Sequence, residues 1–294
     1  MRNIISDGTY IYITLREGGS SYQLQRRLIS DGTLGAGCWS VDLTPYYFIY
    51  GAGVSSICID GSFIYCLNGG GIIVKFDITD GSHVWDQTYS ADQVYKVRQY
   101  GSYIYTCGLS TSSWKPVINQ IDKSDGSIYY TFEGSPDFAP VTAMDIDSTG
   151  FYVCLYDTSE VPVKVIFNHL DFSWSVIWST PVNAPPPPGT DTDIRVATLK
   201  VDSAEVVAVG YEYEYIDPND FFRGRRDTIN KTTGVVTDTK FWPDTDNWYC
   251  KMTGVDKQGS DIFTGGYKTV PIGDPNYNHN NTRWIMTRGN PTIT

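Results

Sequence analysis

Residues 61–85 read GSFIYCLNGGGIIVKFDITDGSHVW. The order is strand, glycine turn, strand, Asp-Gly turn, strand. Taking the segment around Tyr65 as strand B, a short strand A precedes it at 56–59, strand C follows at 72–77 and strand D at 83–88. Asp60-Gly61 and Asp80-Gly81 make tight A–B and C–D connections, because Asp-Gly readily takes the positive φ angles of short hairpins. Copies recur along the chain. One opens at Asp7-Gly8 and closes at Asp31-Gly32; another opens at Tyr100-Gly101 and closes at Asp125-Gly126. Looser copies start near Ser148-Thr149-Gly150, Asp202-Ser203 and Gln258-Gly259. Self-similarity at roughly 40–50 residues marks a propeller or solenoid. Four strands per repeat and six repeats predict an all-β protein, a β-propeller of six four-stranded blades. Blade boundaries fall near 1–50, 51–94, 95–140, 141–193, 194–248 and 249–294. The last blade lacks a clear strand D, so a strand from the N-terminus is a candidate to complete it. No composition break divides the halves, and the expectation is a single domain over 1–294.

Composition agrees with a turn-rich β fold: 28 Gly, 15 Pro and 22 Tyr, the tyrosines suiting half-buried strands whose phenol tips reach water. The net charge of −11 disfavours nucleic acid and anionic membrane, which need clustered Lys and Arg. The one basic cluster, Arg223, Arg225 and Arg226, lies beside Asp217, Asp220 and Asp227 and reads as a local ion-pair knot. No stretch approaches the ~18 apolar residues of a membrane-spanning helix. The N-terminus (MRNIISDGTYIYI) enters a strand without a signal-like apolar core, so the expected location is cytoplasmic at synthesis or within a virus particle released by lysis. The six cysteines form no CxxC pair; Cys66, Cys107 and Cys154 sit in equivalent strands, where cysteine is a small buried hydrophobe.

Extra length concentrates in the B–C connections (110–116, 216–226, 271–283) and the D–A connections (44–53, 134–140, 181–193, 243–248), which share one end of each meander. Function on repeat scaffolds lives in such insertions. They carry Tyr46, Tyr47, Phe48, Trp114, Phe138, Phe221, Phe222, Trp248 and Tyr277, a candidate contact face, since clustered exposed aromatics mark interaction sites. The alternative is that individual aromatics fold back and cap their blades. The segment 185–188 is a short polyproline spacer.

The second-repeat pattern, Ile64-Tyr65, Gly71, Lys75-Phe76-Asp77, Asp80-Gly81 and Trp85, resembles the repeat of quinoprotein-like (PQQ-like) propellers. The third repeat echoes it with Ile104-Tyr105, Gln120-Ile121-Asp122 and Asp125-Gly126, placing Tyr129 where the tryptophan stands; the fifth keeps Ile229-Asn230-Lys231 and Gly234. The resemblance implies structural roles: an Asx-type turn for the aspartate, a hairpin for the glycine, inter-blade packing for the aromatic. The quinone-dependent enzymes of that superfamily are far longer and use adjacent cysteines, which this chain lacks. The resemblance therefore points to the non-enzymatic branch, with no cofactor.

Other chemistries find little footing. Three histidines (His83, His169, His279) are dispersed among repeats, which disfavours a triad or a histidine-rich metal site. The run from Asp77 to Gly81 lacks the alternating ligands and closing glutamate of a calcium loop. Gly69-Gly70-Gly71 opens no helix and so cradles no phosphate. Glycoside hydrolysis needs two flanking carboxylates, and Asp145, Asp147, Asp202 and Glu205 are the candidates near inner strands. The reading is a non-catalytic platform for protein or glycan contact at the long-loop face, a structural or surface-attachment component such as a virion decoration or receptor-contacting protein, with assembly into a larger complex possible in that role. The alternative is a glycan-cleaving propeller enzyme with carboxylates at the central channel.

Overall fold

In the computed structural model of the chain, the described residues are 3–17, 21–46, 54–89, 92–135, 140–157, 164–182, 191–216, 219–242, 249–258, 261–269 and 283–288. They form antiparallel meanders in two compact units, Met1–Pro136 and Asp137–Thr294. The first unit holds three four-stranded sheets. These are β1 (Asn3–Ser6), β2 (Tyr10–Glu17), β3 (Ser21–Leu28) and β4 (Trp39–Asp42); β5 (Val54–Ile59), β6 (Phe63–Asn68), β7 (Ile72–Asp77) and β8 (His83–Thr88); and β9 (Asp92–Tyr100), β10 (Tyr103–Ser110), β11 (Pro116–Asp122) and β12 (Ile128–Glu133).

The second unit holds β13 (Ala143–Asp147), β14 (Gly150–Asp157), β15 (Lys164–Leu170) and β16 (Val176–Val182), then β17 (Asp191–Val201), β18 (Glu205–Ile216), β19 (Asn219–Asn230) and β20 (Val236–Trp242). Its third sheet shows β21 (Tyr249–Gln258), β22 (Asp261–Thr269) and β23 (Arg283–Arg288) among the described residues. Strands C and D of the second repeat fall where the Asp-Gly reading put them. Among the described residues no helix is long and apolar enough to cross a membrane.

The middle sheet of each unit has strands apolar on both faces because it packs between two others. In β6, Ile64 and Cys66 join Tyr12, Leu24 and Phe76 in the core toward the first sheet. Tyr65 and Leu67, alternating with them, join Val94, Val97 and Ile104 toward the third. The second unit repeats this: Tyr152, Tyr156 and Phe167 of its first sheet pack on Ile194, Leu199 and Ala208 of its second, whose other face sets Val207, Val209 and Trp242 against Met252. Cys58, Cys66, Cys107 and Cys154 are buried free thiols, as their strand positions predict; the side chain of Cys250 lies outside the described residues.

The aromatic of strand D explains the spacing of the repeat. The Trp39 indole N–H donates to the Ile78 carbonyl (3.1 Å) and that of Trp85 to the Lys123 carbonyl (3.1 Å), each in the C–D turn of the next sheet. In the second unit Trp178 does the same to Lys231 (2.9 Å). The turn glycine lies beneath the ring: a Cβ on Gly81 would stand 2.8 Å from Trp39, and one on Gly234 2.7 Å from Trp178, both at φ above +70°. Only glycine satisfies both the left-handed backbone and the close approach. Arg26 and Lys75 add charge to these staples by donating to Ile78 and Lys123 carbonyls.

Register corrects one sequence assignment. Lys75 pairs with Trp85, and the equivalent Gln120 pairs with Tyr130, with the same bulge following Lys75 and Gln120, so the two aromatics stand at the same spacing from Gly81 and Gly126. Tyr130, not Tyr129, occupies the tryptophan position. Tyr129 points to solvent, beside Tyr103 at 5.2 Å.

Candidate contact surface

The two ends of each meander differ. At the A–B and C–D end the carboxylates are absorbed by turns. Asp7 accepts the backbone N–H groups of Thr9 and Tyr10 and the Tyr12 hydroxyl. Asp60 accepts those of Phe63 and the Tyr65 hydroxyl. Asp80 and Asp125 each take a serine N–H two residues on, and those backbone bonds hold both carboxyls below the usual range. Lysines of the C–D turns reach back to the preceding sheet: Lys123 to Asp60 at 3.2 Å and Lys231 to Asp147 at 2.5 Å. Burial pushes Asp147 upward, but the bonds from Lys231 and Thr149 outweigh it and keep the carboxyl below its ordinary value.

His169 occupies in β15 the place of Lys75 in β7. It stacks on Tyr152 (4.2 Å between centroids, 13°), with Trp178 at 5.7 Å, and burial lowers its pKa below the usual histidine value. The four carboxylates considered for hydrolysis are all engaged, Glu205 among them. Asp145 accepts the Val201 N–H, Asp147 serves its turn and Lys231, and Asp202 caps the Ala204 and Glu205 N–H groups. Among the described residues no group of His, Cys, Asp and Glu is placed to hold a metal ion.

The B–C end of the third sheet is different. Ser110 donates its N–H to the Lys115 carbonyl and accepts the Trp114 N–H, each at 2.8 Å, while the Ser113 N–H reaches the Ser110 Oγ. This closed turn holds Trp114 at φ 56° and leaves the residue 66% exposed. Left-handed backbone costs a non-glycine residue about 1–2 kcal/mol. In the same turn Thr111 and Ser112 are exposed, and next to Trp114 in sequence Lys115 pairs with Glu133 at 3.4 Å, which Ser113 also joins. Among the described residues no ring packs on it.

Tyr46, by contrast, folds back. It lies on His83 (5.0 Å, 16°) and edge-on to Phe76 (5.5 Å), packed against the core of the first two sheets. Tyr47, Phe48, Phe138, Trp248 and Tyr277 lie outside the described residues, as do the side chains of Phe221 and Phe222.

Of residues 216–226, expected as a loop, the described ones, 216 and 219–226, are strand: β18 and β19 pair from Glu205↔Asn230 to Ile216↔Asn219. The arginine cluster therefore sits on a sheet, and its partners come from its own strand and from both neighbouring ones. Arg223 donates to Glu212, Arg225 donates to both oxygens of Asp227 at 2.8 and 3.0 Å, and Arg226 pairs with Asp238 at 3.1 Å. Glu212, Arg225, Arg226 and Asp227 are buried, and Phe241 lies beneath Arg223 at 4.1 Å. The knot exists, with Glu212 and Asp238 in it. Asp217 and the side chain of Asp220 lie outside the described residues.

No protein-family model and no curated protein matches this chain. Among solved structures, BamB from Moraxella catarrhalis is similar at a TM-score of 0.50 and 10% identity, over 97% of this chain and 86% of that one. The computationally designed Ika4 protein is similar at a TM-score of 0.36 and 12% identity, over 66% of this chain and 92% of that one. The likeness to BamB establishes the fold: the six sheets are blades of a β-propeller.

Proposed function

We propose that residues 1–294 form one non-catalytic propeller domain of the PQQ-like repeat class, a platform whose B–C and D–A end contacts a protein or a glycan. The observation that carries this reading is Trp114, a large aromatic held in a costly conformation by a closed turn and left facing water. Strain that no internal packing offsets is a mark of a functional position, and tryptophan is the commonest anchor of contact surfaces. Surface attachment, as a virion decoration or receptor-contacting component, is the role that suits such a platform. The glycan-cleaving alternative loses its support where Asp145, Asp147 and Asp202 are engaged by backbone and lysine.

The test is photo-crosslinking of the full chain in its producing cells, with benzoylphenylalanine at position 114 and, as control, at the exposed Val84 of β8. A discrete protein adduct at 114 alone, or retention on a glycan array that Trp114→Ala abolishes, is the expected result. Absence of both contradicts the reading.

A further inference from the structure

The 110–116 turn combines an exposed ring with unspent polar groups. Trp39, Trp85 and Trp178 each give their indole N–H to a carbonyl, whereas that of Trp114 makes no hydrogen bond among the described residues. The residues on either side of Trp114 reach one carboxylate. Ser113 Oγ donates to Glu133 Oε1 and Lys115 Nζ to Glu133 Oε2, each at 3.4 Å. Both bonds are long, since such bonds centre at or below about 3.0 Å. A carboxylate offers about four lone-pair sites, so Glu133 keeps room for a closer donor. Thr111 and Ser112 add two exposed hydroxyl residues to the same turn.

The surroundings of the ring in the sheet decide the class of ligand. The other exposed apolar residues of this sheet, Ile128, Tyr129 and Tyr130, begin β12 at its C–D end: Ile128 lies opposite Ile121, whereas Glu133 lies opposite Val117. One aromatic side chain brings about 150–250 Å² of contact, against roughly 800 Å² from each partner in a stable protein interface. A protein anchor works at the centre of a packed, water-excluding patch. A single ring among hydroxyls and one ion pair instead suits a small ligand with an apolar face and a hydroxylated rim. Charge narrows the class further. Lys115 is the one cation of the turn and Glu133 neutralises it, so an anionic ligand would meet no surplus positive charge there.

We propose that the 110–116 turn binds the apolar face of a neutral hexopyranose at the end of a glycan. This rests on the reading of Trp114 as a contact anchor and selects the glycan over the protein. The sugar C–H groups lie on the indole; its hydroxyls donate to Glu133 and accept from Lys115 and the indole N–H.

The test is binding of the full chain to an array of galactose-, glucose- and mannose-terminated glycans alongside sialylated and sulfated ones. Retention on neutral glycans is expected, at least tenfold weaker in Trp114→Ala, several-fold weaker in Glu133→Gln and unchanged in Tyr129→Ala. Trp114→Phe should recover part of the loss, because a ring remains. Retention on sialylated or sulfated glycans alone overturns the proposal, as does neutral-glycan binding that both Trp114→Ala and Glu133→Gln leave intact. No glycan binding, together with a protein adduct from benzoylphenylalanine at position 114, overturns the sugar assignment and leaves the platform standing. Neither glycan binding nor an adduct removes both. If Trp114→Ala does not fold, Glu133→Gln decides, with weakened binding expected and equal binding contradicting the assignment.

Discussion

Two tryptophans, Trp114 and Trp174, are the non-glycine residues at positive φ among the described residues, at 56° and 68°. Trp174 sits in the C–D turn of the fourth sheet, where other repeats place glycine. Its ring stacks on buried Phe151 at 4.6 Å and 11°, while Phe172 meets Phe151 edge-on at 5.2 Å. Offset aromatic stacking contributes about 0.5–1.5 kcal/mol beyond buried area, which offsets the backbone cost. Trp114 has the same backbone cost without such a stack. The difference separates the ends of the blades. One end uses strain for internal packing, and the other keeps it at the surface.

Changes at the packed end should have the largest effects. Gly234→Ala places a methyl against the Trp178 ring in a left-handed backbone, and a loss of about 3 kcal/mol in urea unfolding is expected. The matching change at the other end, Ser112→Ala, should stay within about 0.5 kcal/mol.

A smaller effect is expected from His169. Its folded pKa lies below the ordinary value of 6.5 because it is buried. The unfolded chain therefore binds the proton first, so its contribution to stability is full above pH 6.5 and falls as the pH drops below that value. Unfolding midpoints measured from pH 7.5 to 5 should decline more in the parent than in His169→Gln. Equal slopes would place His169 in water and remove one member of the packed end.

Much of the fold was legible because its punctuation is local. Asp60-Gly61 and Asp80-Gly81 fix strand ends within a few residues, and strand D of the second repeat follows from them. Non-local features were not legible. Asp227 was legible as a partner of the arginine cluster, but Glu212 and Asp238 were not, because they lie on neighbouring strands reached only once β18, β19 and β20 are in register. Trp114 was visible as an aromatic in an insertion, but its left-handed backbone depends on the hydrogen bonds of Ser110.

The comparison itself is tested most directly by urea unfolding of Trp174→Ala and Trp114→Ala side by side. Trp174→Ala should lose about 2 kcal/mol through its stack on Phe151, whereas Trp114→Ala should remain within about 0.5 kcal/mol of the parent. Equal losses would contradict the account, because Trp114 would then be a packing residue and its exposed turn no contact surface.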